Sequence, residues 1–256
     1  MSEEIALVTG AAGGIGEAIV RTLAQDGVRV AAVDLSADRL TALAEKLAGD
    51  GLDVEAFPCD VTRPDAVEQL VEAVEAAMGP IDYLVNAAGV LRLAPAVSLS
   101  DEDWATTFAV NTTGVFLVSR AVVRRMVDRR SGAVVTIVSN SAGTPRTDMA
   151  AYAASKAATA MFTKCLGLEV APYGIRCNLV APGSTDTPML TSMWQDASSE
   201  RVSIEGVASA FRVGIPLGKL AQPQDVANAV AFLLSDRASH ITMHDLTVDG
   251  GATLGV

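Results

Sequence analysis

The sequence of 256 residues contains only two histidines, His240 and His244, both near the C-terminus. Because histidine is the commonest general base and metal ligand, this scarcity argues against a Ser-His-Asp hydrolase and against a multi-histidine metal site. The two histidines are four residues apart, but the residues around them are typical of a turn entering a strand, and no cysteine or glutamate lies close by. We therefore predict no bound metal, and an enzyme built on this sequence needs another proton acceptor.

Basic residues, paired cysteines and long apolar runs are lacking as well. Acidic side chains number 30 against 19 basic ones, a net charge of −11, which disfavours nucleic acid as a partner because phosphate binding needs a basic patch. The three cysteines form no CxxC pair and fit a reducing compartment. No uncharged apolar stretch reaches the ~18 residues of a membrane span, and the N-terminal residues lack the basic region of a signal peptide. These features predict a soluble, cytoplasmic protein that binds neither nucleic acid nor membrane.

What the sequence does contain is an alternation of short apolar runs and longer helical patterns. Runs without in/out alternation, typical of strands buried on both faces of a parallel sheet, lie at 5–8, 28–33, 54–57, 81–85, 134–138, 175–180 and 246–248. Helical patterns lie between them at 14–26, 37–48, 64–78, 101–129, 150–171 and 223–234. The repeated βαβ order predicts an α/β fold with a doubly wound, parallel, seven-stranded, Rossmann-like sheet. No linker interrupts it, so we predict that residues 1–256 form a single domain.

One irregular segment, residues 184–213, follows the sixth predicted strand and contains Met189, Met193 and Trp194 among polar residues. Long connections at the carboxyl end of a strand tend to be functional, so we predict that this segment is a lid over the substrate. The alternative is an additional pair of surface helices.

A glycine-rich loop joins the first predicted strand to the first predicted helix. Its Gly10, Gly14 and Gly16 have the spacing of a dinucleotide-binding loop, in which glycines turn the chain and let the backbone approach a pyrophosphate. An ordinary glycine-rich turn is the alternative, but the strand before and the helix after are the context that the motif requires. We therefore predict a dinucleotide site here.

Asp34 ends the second predicted strand, close to the spacing of about 20 residues after the glycines at which an acid binds the adenosine ribose. A carboxylate there would repel a 2′-phosphate, and the glycine loop has no basic residue to offset it. Arg39 is the nearest basic residue, and we expect it to face water from the next helix. The prediction is a domain that binds NAD rather than NADP.

Tyr152 and Lys156 are four residues apart in a predicted helix, so both side chains project from one face. A phenol has a pKa near 10, and making it a base at neutral pH requires about 4 kcal/mol of preferential stabilisation of the phenolate. A neighbouring ammonium and a positive nicotinamide ring can supply it. A surface Tyr/Lys pair is the alternative.

Taken together, these motifs resemble the short-chain dehydrogenase/reductase family along essentially the whole chain. The matching residues, in order, are Gly10, Gly14, Gly16, Asp60, Asn86, Gly89, Asn111, Ser139, Tyr152, Lys156, Pro182 and Gly183. The resemblance implies that Tyr152 is the base, Ser139 bonds the reacting oxygen, Lys156 holds the nicotinamide ribose, and Asn111 holds a water that links Lys156 to solvent. It further implies cofactor contacts from Asp60 to the adenine, from Asn86 beside the adenosine ribose and from Thr187 to the carboxamide, with Ile15, Leu35, Val61 and Ala87 completing the site. Residues 86–89 read Asn-Ala-Ala-Gly, where the family usually has Asn-Asn-Ala-Gly.

Segments outside these family-wide motifs, such as 84–92, 144–146 and 214–219, are similar to a subgroup of the same family. That subgroup oxidises 2,3-dihydro-2,3-dihydroxybenzoate to 2,3-dihydroxybenzoate in catecholate siderophore biosynthesis. The resemblance therefore implies this NAD-dependent reaction and a homotetramer built on the helices that begin at 101 and 150. Three alternatives remain: a dehydrogenase for an amino-substituted acid such as 2,3-dihydro-3-hydroxyanthranilate, another short-chain alcohol dehydrogenase, or a non-catalytic protein that senses NAD.

A small carboxylic acid that enters an acidic protein needs a local cation. Arg146 lies between Ser139 and Tyr152, and Arg92 follows the turn at 86–89; a guanidinium can bind a carboxylate in a bidentate manner. We predict that Arg146, helped by Arg92, binds the substrate acid, and that Met189 covers the ring. Solvated or interface arginines, and a methionine of the core, are the alternatives.

Overall fold

A computed structural model of the chain describes residues 4–194, 196 and 198–255. Its large sheet has seven parallel strands in the order β3-β2-β1-β4-β5-β6-β9. These strands are β1 (Ile5–Thr9), β2 (Arg29–Asp34), β3 (Val54–Pro58), β4 (Tyr83–Asn86), β5 (Gly132–Ile137), β6 (Ile175–Pro182) and β9 (Asp245–Val248). A separate antiparallel hairpin is made of β7 (Gly206–Val207) and β8 (Arg212–Val213).

Helices cover both faces of the sheet. They are α1 (Gly14–Gln25), α2 (Ala37–Gly49), α3 (Pro64–Ala77), α4 (Asp101–Phe108), α5 (Val115–Arg129), α6 (Ala150–Val170), α7 (Pro188–Thr191), α8 (Ser199–Glu205) and α9 (Pro223–Leu234). On one face α1, α2 and α9 pack on alternate β1 residues, Ala6 and Val8. On the other, α3 and α5 pack on Ile5 and Leu7. Both sets of strand side chains are therefore buried, which explains the continuous apolar runs.

The prediction of a doubly wound, parallel, seven-stranded sheet is confirmed, with strand and helix ends within about two residues of most expected bounds. The predicted helix 101–129 is helical throughout but contains a π-helical turn, Ala109–Gly114, between α4 and α5. Among the described residues this stretch, Asp101–Arg129, alone is long and apolar enough to cross a membrane, and 56% of its apolar window is buried inside the fold. It is therefore a core helix of this domain.

The strand order reverses between β1 and β4, which are neighbours although β2 and β3 lie between them in sequence. In an open parallel sheet the crevice beyond the carboxyl ends of such strands is where ligands bind. The glycine loop follows β1, the Asn-Ala-Ala-Gly turn begins at the end of β4, Ser139 follows β5, and Gly183 follows β6. The fold thus gathers the predicted motifs at one edge of the sheet.

Candidate active site

A cavity of about 940 Å³ opens beyond the carboxyl ends of these strands. Its lining includes most of the residues predicted for cofactor and substrate: Gly10, Gly14, Ile15, Gly16, Asp34, Leu35, Asp60, Val61, Ala87, Gly89, Ser139, Arg146, Tyr152, Lys156, Pro182, Gly183, Thr187 and Met189. Three predicted residues, Asn86, Arg92 and Asn111, are not part of the lining.

The glycine loop is suited to a pyrophosphate. Helix α1 begins at Gly14, and its N-cap residue Gly13 provides no side-chain cap, so the N–H groups of the first turn are free to bind an anion. A Cβ on Gly16 would overlap the carbonyl of Gly10, and one on Gly10, whose φ is +67°, would lie 2.7 Å from the Ala87 carbonyl oxygen. The close approach of these backbones therefore requires glycine.

Thr187 brings the segment after β6 up to the same loop. A Cβ on Gly14 would lie 2.8 Å from Cγ2 of Thr187 and 3.2 Å from Cδ of Pro188. Thr187 also caps α7, where its hydroxyl accepts a hydrogen bond from the Leu190 amide at 3.4 Å. The start of α7 thus lies against the start of α1, on the wall of the cavity.

Asp34 presents its carboxylate at the end of β2. One oxygen accepts a hydrogen bond from the Ala12 amide at 3.1 Å and the other from the Ser36 amide at 3.0 Å. Arg39 lines the cavity too, with a guanidinium nitrogen 3.7 Å from Asp34 and a side chain 66% exposed. The expectation that Arg39 only faces water is therefore too simple, because its head group reaches back to the Asp34 carboxylate.

Tyr152 and Lys156 lie on the first two turns of α6. The Lys156 ammonium is buried, donates a hydrogen bond to the Ile137 carbonyl at 2.8 Å, and lies 5.8 Å from the centre of the Tyr152 ring. Burial lowers the pKa of Lys156 to about 8. Burial also raises the pKa of Tyr152, while a hydrogen bond with Ser139 acts in the opposite direction. Burial therefore opposes ionisation of the phenol, and the hydrogen bond with Ser139 favours it.

Ser139 lies two residues after the end of β5 and caps a short 3₁₀ turn, Asn140–Ala142. Its hydroxyl oxygen accepts hydrogen bonds from the amide of Ser141 at 3.2 Å and from the hydroxyl of the same residue at 2.9 Å. These bonds hold the Ser139 hydroxyl in the cavity beside Tyr152.

Asn111 occupies the π-helical turn and is completely buried. Its side chain bonds both the amide and the carbonyl of Val90, at 2.8 and 3.0 Å, and donates to the Ser155 hydroxyl at 3.0 Å. Its main-chain carbonyl accepts a hydrogen bond from Thr159 at 2.7 Å. Asn111 thus ties the turn after β4 to α6, while its predicted contact with a water remains a prediction.

Two predicted residues lie elsewhere. The Asn86 side chain is not part of the cavity lining and donates to the hydroxyl of Ser119 at 3.0 Å and to that of Thr136 at 3.3 Å. It therefore joins β4 to α5 and β5, and its predicted place beside the adenosine ribose remains a prediction. Arg92 lies outside the lining because its guanidinium pairs with Asp103 on α4 at 3.4 Å.

Sequence reasoning missed Arg212. This residue begins β8 and lines the same cavity as Arg146, which is distant in sequence. Its guanidinium donates a hydrogen bond to the Ser184 hydroxyl at 3.0 Å. The available signal was that Arg201 and Arg212 are the two basic residues of the segment 184–213.

Comparisons with known proteins show extensive similarity to oxidoreductases. A family model described as enoyl-(acyl carrier protein) reductase matches residues 10–253. The chain is 57% identical to the 2,3-dihydro-2,3-dihydroxybenzoate dehydrogenase of Bacillus subtilis (strain 168), over 99% of this chain and 97% of that protein. It is 45% identical to the vibriobactin-specific 2,3-dihydro-2,3-dihydroxybenzoate dehydrogenase of Vibrio cholerae, over 97% and 95%. A crystal structure of an actinorhodin polyketide ketoreductase variant with NADPH superposes with a TM-score of 0.90 at 35% identity, covering 98% of this chain and 97% of that one.

Proposed function

The chain belongs to the short-chain dehydrogenase/reductase family, and on that premise we propose that it oxidises 2,3-dihydro-2,3-dihydroxybenzoate to 2,3-dihydroxybenzoate with NAD, as a cytoplasmic enzyme of catecholate siderophore biosynthesis. The observation that carries the proposal is the grouping of Ser139, Tyr152, Lys156 and Arg146 on the wall of one cavity with the glycine loop. The identity of 57% to a dehydrogenase of this name supports the choice of substrate.

The residues present fit a nicotinamide dinucleotide. The uncapped start of α1 and the glycines whose Cβ atoms would fill the loop make room for a pyrophosphate. Asp34 would bind the ribose hydroxyls, and its negative charge supports NAD over NADP. Asp60, Val61 and Leu35 would flank the adenine end, while Lys156, Gly183 and Thr187 would hold the nicotinamide end. The nicotinamide ring, when bound, accepts the hydride that leaves the substrate carbon.

The chain's own residues handle the proton. Tyr152 takes it from the substrate hydroxyl as the carbon–hydrogen bond breaks, and Ser139 holds the reacting oxygen by a hydrogen bond. The Lys156 ammonium lies near the Tyr152 ring and favours the phenolate, which burial alone disfavours. The ketone formed at C3 tautomerises to the aromatic catechol, which makes the overall conversion strongly downhill.

Arg146 would bind the substrate carboxylate, and Met189, with Met193 and Trp194, would cover the ring. These three residues belong to the segment 184–213, which contains α7, α8 and the β7–β8 hairpin. Its residues Ser184, Thr187 and Arg212 also line the cavity, which supports its proposed role as a substrate lid over the single NAD-binding domain. We propose in addition that the enzyme is a homotetramer built on the helices that begin at Asp101 and Ala150.

The test is NADH formation by the purified protein with trans-2,3-dihydro-2,3-dihydroxybenzoate and, in parallel, with 2,3-dihydro-3-hydroxyanthranilate. We expect a higher kcat/KM for the dihydroxy acid. Tyr152→Phe should reduce kcat by about 10²- to 10⁴-fold, the usual contribution of a general base, with NAD affinity nearly unchanged. A preference for 2,3-dihydro-3-hydroxyanthranilate would change the assigned substrate to this amino-substituted acid. If no cyclic hydroxy acid gave NADH, a protein that senses NAD would be favoured.

A further inference from the structure

Two arginines in the cavity have no acidic partner in the part of the chain that the structure describes. Among the described residues no carboxylate oxygen lies within 4.0 Å of the guanidinium of Arg146 or Arg212, whereas Arg92 and Arg201 pair with acids nearby. Other arginines without an acid partner are satisfied in a different way: Arg176, for example, donates to the carbonyls of Leu233 and Leu234 at 2.6 Å. Arg146 and Arg212 therefore present charged donors to the cavity that the described part of the protein leaves largely unmatched.

The two guanidinium groups come from separate segments but influence each other. Arg146 lies in the connection between β5 and α6, and Arg212 lies in the hairpin after α8. Burial, together with the positive charge of Arg146, lowers the pKa of Arg212. Like charges held near one another in an acidic protein are unfavourable unless an anion lies between them. Asp148 and Asp196 line the same cavity but do not reach either guanidinium.

The hairpin holds Arg212 in a defined position. Arg212 donates to the Ser184 hydroxyl at 3.0 Å, and a Cβ on Gly206 would lie 2.5 Å from the Arg212 carbonyl oxygen. Phe211 has a left-handed φ of 53°, which is strained for a bulky residue, yet its side chain is 93% exposed. Burial of Phe211 thus does not explain this backbone, which is the left-handed cap of the 3₁₀ turn Ala208–Ala210 that joins β7 to β8, directly before Arg212.

We propose that Arg212 and Arg146 together bind the carboxylate of the substrate, so that Arg212 is a specificity-determining residue contributed by the segment 184–213. The proposal rests on the proposed function, which supplies a substrate with a carboxylate. Ser184 orients the Arg212 guanidinium and leaves its remaining N–H groups for the anion. The guanidinium groups of Arg146 and Arg212, which come from two separate segments, can then both bind one carboxylate. Binding of the acid then links the segment 184–213 to the connection between β5 and α6, which carries Ser139 and leads into the helix of Tyr152.

The test compares the acid with its uncharged methyl ester in wild type, Arg212→Leu and Arg212→Lys, with Arg201→Leu as the matched control from the same segment. Arg212→Leu should lower kcat/KM for the acid by about 10- to 100-fold, the range expected for a hydrogen bond between charged groups. The ester should change less than about threefold, Arg212→Lys should recover part of the loss, and Arg201→Leu should resemble wild type. An equal loss for acid and ester would overturn the proposal, because it would indicate a role in shape alone.

Calorimetric binding of 2,3-dihydroxybenzoate and of catechol to the protein saturated with NAD separates this proposal from the proposed function. Preference for the carboxylate that disappears in Arg212→Leu supports the two-arginine site even if the dihydro acid is not turned over. Oxidation of the acid by wild type and Arg212→Leu with the same kcat/KM would overturn the two-arginine site and leave the proposed function standing.

Discussion

Lys156 places an ammonium group inside the protein, and its stability cost depends on pH. The side chain is 4% exposed, has no acidic partner among the described residues, and donates one hydrogen bond to the Ile137 carbonyl. Its pKa falls from 10.5 to about 8 because burial disfavours the charged form. Between these two values the unfolded chain binds a proton that the folded protein does not, so the free energy of unfolding rises with pH in that window.

Lys156→Met should remove this dependence and abolish turnover. As pH rises from 8 to 10.5, the free energy of unfolding of wild type should increase by up to about 3 kcal/mol relative to that of the variant. Each unit of pH contributes about 1.4 kcal/mol. Urea unfolding of both proteins at pH 7.5 and at several values up to about 10 measures the difference. A stability difference that stays constant over this range would contradict the burial of a titrating ammonium at Lys156.

Asp34 combines two effects that one substitution can separate. Its carboxylate accepts hydrogen bonds from the Ala12 and Ser36 amides, and its charge faces the cavity. Asp34→Asn keeps an oxygen acceptor and removes the charge. We expect the ratio of kcat/KM for NADP to that for NAD to rise by at least about tenfold, which corresponds to about 1.4 kcal/mol less repulsion of a 2′-phosphate. Asp38→Asn, on the first turn of α2, is the control and should leave the ratio unchanged; a wild-type preference for NADP would contradict the assignment of Asp34.

At the residue scale, the sequence predicts which residues line the cavity where the ends of strands fix their positions. It does not predict the side chains whose orientation depends on a neighbouring residue. Gly10, Asp34 and Ser139 lie at or just after the carboxyl ends of strands, so topology alone brings them together. The orientation of Asn86 depends on Ser119 of α5, a contact that no spacing reveals. Arg92 is held outside the lining by Asp103, and Arg212 is brought in by a hairpin too short to leave a strand pattern.

At the scale of elements, the buried strands were predictable because each has helices on both sides and so carries an unbroken apolar run. The π-helical turn Ala109–Gly114 was not predictable, because it changes the hydrogen bonding of the helix without interrupting its apolar pattern. The two-residue strands β7 and β8 are shorter than any period that a sequence can display. The sequence therefore predicts the sheet well and the irregular segments around the cavity poorly.

The turn from β1 into α1 should tolerate an added methyl group far less well than the end of α2, where such a group would contact no other atom. Gly16→Ala places a Cβ against the backbone carbonyl of Gly10, an atom that cannot move without moving the turn. We expect NAD binding to be lost and the free energy of unfolding to fall by about 1–3 kcal/mol, which is the cost of overpacking.

Gly49→Ala is the matched control, because an added Cβ at the last residue of α2 has nothing within 4 Å. This change should preserve NAD affinity and leave stability unchanged or slightly higher, since alanine favours helix over glycine by up to about 1 kcal/mol. Calorimetric titration with NAD and urea unfolding measure both effects. If Gly16→Ala bound NAD like wild type, the close approach of Gly16 to Gly10 would not be required for the cofactor site.

At the scale of the whole molecule, the net charge is strongly negative, whereas the cavity lining carries as many basic as acidic side chains. The net charge of −11 repels an anionic substrate at a distance, while Arg146, Arg212 and Lys156 gather positive charge inside the cavity. Screening by salt weakens the long-range repulsion more than the contacts within the site. The scarcity of histidine agrees with the proposed mechanism, in which the phenol of Tyr152 and the ammonium of Lys156 supply the proton transfer.

The surface of the two long helical stretches leaves large apolar side chains exposed, which supports the proposed homotetramer. Met161 and Leu168 on α6 are 62% and 67% exposed and lie seven residues apart, on the same face of the helix. Trp104 of α4 and Phe116 of α5 are also partly exposed. Residues of this type on neighbouring helices are typical of surfaces that associate with another subunit.

Replacing Met161 and Leu168 together by glutamate should therefore break the assembly. Charged groups at the centre of an apolar interface lose hydration without gaining a partner, so the mass measured by light scattering should fall from that of a tetramer to that of a dimer or monomer. Val97→Glu, at a loop residue that is 99% exposed, is the control and should leave the mass unchanged. A monomeric wild type, or a double variant that remains tetrameric, would contradict an assembly through α6, and the exposed apolar side chains would then serve another contact.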